Sequence, residues 1–183
     1  CLCPDRSRGI HGMNGRFIVS VIVICAVLAG AAMFYLQIYG FYDDVSETDN
    51  RVVLTSVVTG APEEIPVSSL SAIDADSSPI RYRACFQTDQ SIGMLTESFE
   101  LHPEAEPRVA PGWFECFDAE QIGNDLANGN AVAFWGQRNI EYGIDRVVAI
   151  YADGRGYVWH EVNDCGDKLY DGSPKDPNCP ERD

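Results

Sequence analysis

The sequence lacks the motifs that usually announce an enzyme. It has no G-x-G-x-x-G or Walker loop to cradle phosphates and no G-x-S-x-G elbow to present an activated serine. It has no C-x-x-C pair, so thiol redox chemistry and a zinc ribbon lack their usual spacing. Histidine is scarce, with only His11, His102 and His160 in 183 residues. Asp74-x-Asp76 opens like a calcium loop, but the sixth position is Pro79 rather than glycine and the twelfth is Cys85 rather than glutamate. The tail acids Asp164, Asp167, Asp171 and Asp176 offer at most a weak Ca²⁺ site, since such ligands are common on any acidic surface. No catalytic residue, cofactor or metal is expected.

Charge is missing from one long stretch. Phe17 to Tyr39 carries no charged side chain, and at 1.5 Å per residue a helix of that length reaches about 34 Å, enough for the hydrocarbon core. Phe34, Tyr35, Tyr39, Phe41 and Tyr42 gather at its far end, where amphipathic rings favour the interfacial belt. Ala29-Gly30-Ala31 resembles a signal-peptidase site, but the apolar run continues beyond it, so an uncleaved anchor is favoured over a leader. Residues 1–12 precede Met13 and look foreign to such a protein; they are set aside as a possible start-site artefact.

The charge that is present is lopsided. Arg6, Arg8 and Arg16 against Asp5 leave the segment before the apolar run at +2, whereas 10 Lys/Arg against 27 Asp/Glu leave Asp43 to Asp183 at −17. The positive-inside rule then puts the N-terminus in the cytoplasm and the acidic part across an inner membrane, in the periplasm. A domain this acidic repels phosphate backbones, so nucleic acid is not expected as a partner.

Four cysteines fall in the exported part: Cys85, Cys116, Cys165 and Cys179. An even number in an oxidising compartment suggests two disulfides, with three pairings open. Cys85–Cys116 with Cys165–Cys179 is favoured, because the second bridge closes a Gly/Pro/Asp-rich tail that has little else to order it.

The organisation expected is a basic N-terminus at 1–16, a membrane helix at 17–39, a polar linker at 40–50 and one domain at 51–183. Within the domain, 51–58, 81–87 and 131–135 read as strands, and 63–79 reads as mostly irregular. Residues 92–99 read as a short helix, and three prolines make 100–111 a loop. Asp118 to Asn128 is the clearest helix, with Asp118 as N-cap and Gly129 as stop. Residues 146–151 and 157–162 flank Asp153-Gly154 as a hairpin. The fold class is α+β: an antiparallel sheet of four or five strands with one main helix.

Five residues stand out as candidates for partner or ligand contact: Arg81, Arg83, Trp113, Trp159 and His160. Arg81 and Arg83 share a strand face by period two, where pairing with carboxylates is the plain alternative. Trp113, after Pro111-Gly112, and Trp159 are core residues first, although tryptophan is a common interface anchor. His160 follows Trp159 on the expected strand, with a partly buried strand residue as its plain reading. His102, before Pro103, reads as a solvated loop residue.

Taken together, MNGRFIVSVIVICAVLAGAAMFYLQIYGFYDDV, DADSSPIRYRACF, APGWFECFDAEQIG, NIEYGIDRVVAIYADGRGYVWHEVNDCG and DGSP…CP resemble an uncharacterised family of short bacterial proteins with one membrane anchor and a domain of unknown function. The resemblance covers about Met13 to Pro180. Histidine kinase is a label sometimes attached to that family. This chain has no phosphoacceptor-histidine helix and no ATP-binding glycine boxes, so the label does not fit it.

Two functions from different classes follow. The first is a non-enzymatic accessory or assembly subunit of an inner-membrane complex, docking on a membrane-protein partner. The second is a small-ligand-binding domain or enzyme around Arg81, Arg83, Trp159 and His160. Convergence of those four residues in one pocket favours the second, and their dispersal favours the first.

Overall fold

The computed structural model describes residues 15–45, 51–176 and 179–180. Expectations for 1–14 and for the 46–50 part of the linker lie outside the described residues. Two compact units are present, Cys1–Gly40 and Phe41–Asp183.

The first unit carries helix α1, Gly15–Tyr35, extended by a π-helical turn at Leu36–Gly40. No residue of α1 is buried. The Gly15–Gly40 helix is long and apolar enough to cross a membrane.

The second unit is built on a six-stranded antiparallel sheet in the order β1-β4-β5-β8-β7-β6. The strands are β1 (Asp43–Asp44), β4 (Ser68–Asp74), β5 (Arg83–Gln87), β6 (Ala131–Glu141), β7 (Ile144–Tyr151) and β8 (Arg155–Val162). Strands β2 (Val53–Thr55) and β3 (Pro62–Glu64) form a separate hairpin. Helix α2 spans Ile92–Ser98 and α3 spans Ala119–Ala127. The α+β class is as expected from the sequence, with a larger sheet.

Several boundaries differ for physical reasons. Asp43 and Asp44 pair with Asp74 and Ile73, so the folded unit starts inside the expected linker. Strand β4 lies in the segment read as irregular. A register shift between Ser68 and Ser71, with Ser69 at φ 52°, breaks the alternation that would have marked it. The 51–58 strand shrinks to Val53–Thr55, because the chain turns at Ser56 and leaves Val57 and Val58 exposed.

Both sheet faces are covered. Val52, Leu54, Ile65, Leu95 and Phe99 pack over Ala84, Phe86, Phe134, Val148, Ile150 and Val158 on one face. Phe114, Phe117 and Ile122 pack over Ile73, Ala133, Val147, Ala149 and Trp159 on the other. Helix α3 begins where Asp118 accepts a hydrogen bond from the Gln121 amide at 3.1 Å, and the chain then leaves through Gly129 at φ +73°. The Tyr151 hydroxyl donates to Asp125 at 2.9 Å and ties α3 to β7.

Two disulfides fix the irregular parts. Cys85–Cys116 ties the loop before α3 to β5, and Cys165–Cys179 closes the tail. In the chain-entropy model, loops of these lengths contribute about 3–4 kcal/mol each.

Candidate functional site

Strand β8 carries the groups of most chemical interest, and period two sends them to opposite faces. Trp159 and Glu161 point to the α3 side, while His160 points to the other.

On the α3 side, Glu161 is fully engaged. Its Oε1 accepts from the Trp159 indole N–H and from the Glu106 amide, both at 2.7 Å. Its Oε2 lies 3.2 Å from His102 Nε2. The His102 ring stacks on Trp135 at 3.7 Å between centroids, and Arg138 sits 4.6 Å from the Trp135 centroid. The His102 amide donates to the Ala133 carbonyl at 2.8 Å. His102 is therefore buried and held at ring and backbone, which corrects its reading as a solvated loop residue. The reason is long-range: residues 100–102 run along the outer edge of β6, and Glu161 arrives from 59 residues away. Beside His102 lies a cleft of about 270 Å³ walled by Leu101, Pro103, Ala105, Leu126 and residues 131–133.

On the opposite face, His160 is clamped. Its Nδ1 lies 2.5 Å from the Pro79 carbonyl, so this nitrogen carries the proton and donates. Its Nε2 accepts from Arg146 Nε at 3.0 Å. Tyr82 stacks on the imidazole at 4.9 Å, and the Arg146 guanidinium lies 4.5 Å from the Tyr82 centroid. Burial, reinforced by the Arg146 charge, pushes the His160 pKa down to about 4, so the ring is neutral at pH 7. Burial also raises the Asp74 pKa from its ordinary value, an effect that the hydrogen bond from the Ala75 amide and the Arg146 charge partly offset.

Arg83 is buried and bonds to carbonyls rather than to carboxylates. Nε donates to Arg108 O at 2.9 Å, Nη1 to Ile80 O and Tyr82 O at 2.8 and 2.6 Å, and Nη2 to Val109 O at 3.1 Å. Burial lowers its pKa to about 10, which leaves it charged. Four carbonyls converging on one guanidinium make Arg83 a clasp between β5 and the 108–109 loop. Arg81 is not its partner on a strand face. It ends the 3₁₀ turn Pro79–Arg81, with its guanidinium 5.7 Å from the Tyr42 ring centroid.

The four residues proposed from sequence as one pocket thus separate. Trp159 and Arg83 share a core through Phe117, while His160 faces the other side and Arg81 lies on the turn. Trp113 is half-buried, edge-on to Tyr42 at 5.8 Å and to Phe114 at 6.3 Å. Of the tail acids, Asp164 and Asp167 meet Lys175 at 3.0 and 3.8 Å, Asp171 accepts from Ser173, and Asp176 lies beside the Cys165–Cys179 disulfide. Sequence reasoning missed His102 and Glu161 as a pair. The signal was the Trp159-x-Glu161 spacing, which puts a carboxylate on the same buried face as a tryptophan and so demands a partner.

No curated protein and no solved structure matches this chain. Residues 52–180, from just before β2 to just after the second disulfide, match the model of a family of unknown function, DUF6446, and the chain belongs to that family.

Proposed function

We propose that this protein is a membrane-tethered accessory subunit, whose acidic domain docks on a partner in or at an inner membrane from the periplasmic side. The observation that carries the reading is the Gly15–Gly40 helix, which is long and apolar enough to cross a membrane and whose exposed apolar side chains call for an apolar surrounding. A bilayer supplies one. The +2 flank before it and the −17 stretch after it favour export of the acidic domain. Two disulfides fit an oxidising compartment. The second compact unit starts at Phe41, one residue beyond the helix, so the leash is short and the partner must itself be close to the membrane.

An accessory role fits the way the candidate residues are used. Arg83 spends its donors on backbone carbonyls and His160 is locked at both ring nitrogens, which leaves neither poised for turnover. Trp113, half-buried after a Pro-Gly loop, is the aromatic anchor of this reading.

The test is crosslinking and co-purification from native membranes, together with a reporter fused after Asp183 that works only in the periplasm. A stoichiometric membrane-protein partner whose binding weakens with salt, and an active reporter, are expected. Trp113→Ala, if still folded by circular dichroism, should weaken partner binding by roughly thirtyfold. An inactive reporter overturns the topology. Undiminished binding by the folded variant removes Trp113 as the anchor.

A further inference from the structure

We propose that the cleft beside His102 binds a small neutral molecule with an apolar body and a hydrogen-bond donor, which His102 Nδ1 accepts. This goes beyond the docking role and does not depend on it. The walls offer Leu101, Pro103, Ala105, Leu126 and Val132, and the one polar side chain among them is His102. A cleft of about 270 Å³ with mostly apolar walls and one polar side chain suits a ligand of a few heavy atoms, at the small end of ligand pockets.

The network behind the ring fixes what that polar group offers. Glu161 Oε1 already accepts two N–H donors, from Trp159 and Glu106, which holds the carboxyl in an accepting role. His102 must then carry its proton on Nε2 to donate to Glu161 Oε2. In a neutral imidazole the other nitrogen, Nδ1, is a lone-pair acceptor. Nδ1 has no hydrogen bond to any described residue. The stack on Trp135 and the backbone bond to Ala133 hold the ring in place, so the acceptor is pre-oriented.

The same features set the ligand class. A lone-pair acceptor in a strongly acidic domain disfavours carboxylates and phosphates. A cation would find one nitrogen and no uncommitted carboxylate among the lining residues. A hydroxyl or N–H compound with an aromatic or branched aliphatic body satisfies both the wall and the acceptor.

Phenol is the probe, with benzene as the comparator that lacks the donor. The full chain in lipid nanodiscs, labelled at histidine, presents only three imidazoles, from His11, His102 and His160. Phenol should shift the His102 resonances saturably and leave those of His160 in place. Leu126→Trp, which fills the cleft and leaves the His102–Glu161 pair intact, should raise the phenol Kd at least tenfold. His102→Phe, read from the phenol signals rather than the lost imidazole, should do the same. A His102 shift that never saturates, or that persists unchanged in Leu126→Trp, overturns the site. Benzene binding as tightly as phenol overturns the role of Nδ1. If His102→Phe does not fold, the Leu126→Trp and benzene comparisons decide the matter.

Discussion

Arg146 donates Nε–H to His160 Nε2 at 3.0 Å, so a cation and an imidazole meet with no carboxylate between them. That contact tolerates only the neutral imidazole. The folded-state pKa of about 4 lies below the unfolded value of 6.5, so between these values the unfolded chain binds a proton that the folded chain refuses. The stabilisation is complete above pH 6.5 and is lost as the pH falls towards 4, by up to about 3 kcal/mol. Asp74, raised by burial, acts in the opposite sense and recovers part of the loss at the acid end. Urea midpoints followed by tryptophan fluorescence should fall between pH 7 and pH 5. A flat profile, or one unchanged in His160→Gln, refutes this assignment.

Glu161 can be tested through its neighbour. Glu161→Gln preserves the shape and leaves one oxygen to accept from Trp159 and Glu106. The new amide then faces His102 and forces its proton from Nε2 to Nδ1. Nitrogen-15 spectra of histidine should show that tautomer inversion, with a stability loss of about 1–2 kcal/mol. Glu161→Ala orphans the buried Trp159 indole N–H and the part-buried Glu106 amide and should cost about 2–3 kcal/mol.

Gly156 faces Phe86 across the β5–β8 pair, and a Cβ added there would overlap the Phe86 ring. Gly156→Ala should therefore destabilise by about 1–3 kcal/mol through overpacking. Phe86→Leu in the same chain should recover part of that loss. A denaturation series on the two single variants and the double variant measures the coupling.

Removal of Cys85–Cys116 by paired serine substitution should loosen residues 111–118 from β5, with Arg83 still holding 108–109 and β7 and β8 still paired. The expected cost is about 2–4 kcal/mol. Hydrogen exchange should quicken at Phe114, Phe117 and the first turn of α3, with Val147 and Val158 still protected. Uniform loss of protection would show that the bridge holds the whole sheet.

Local chemistry made α3 and the β7–β8 turn legible in the sequence. Asp118 and Gly129 cap the helix, and Gly154, at φ +87°, takes a conformation that suits glycine. Strand β4 was not legible because its Ser68-Ser69 bulge destroys period two. Strand β6 extends past Trp135 through register shifts around Gly136, where the apolar pattern gives way to Gln137, Arg138 and Asn139. Asp43 and Asp44 read as linker because two adjacent acids have no strand propensity. Their pairing comes from the partner strand. The candidate site was least legible of all. Arg83, Trp159 and His160 stood out in the sequence by residue type alone, and their surroundings are set by carbonyls and rings distant in sequence. His102 offered no local sign of burial.

The two margins of the main sheet are finished differently. At one, β1 is only two residues long and both are aspartates; at the other, residues 100–102 lie along β6. Proteins anchored in a membrane share a plane and meet one another at high local density, where an open strand margin would recruit a neighbour by backbone pairing. A charged stub repels such a neighbour, and an occupied margin offers it fewer groups to bond. Tethered as proposed, the sheet can therefore be crowded on a membrane surface without seeding fibrillar self-association. Its encounters are left to side-chain surfaces, where specificity can be encoded.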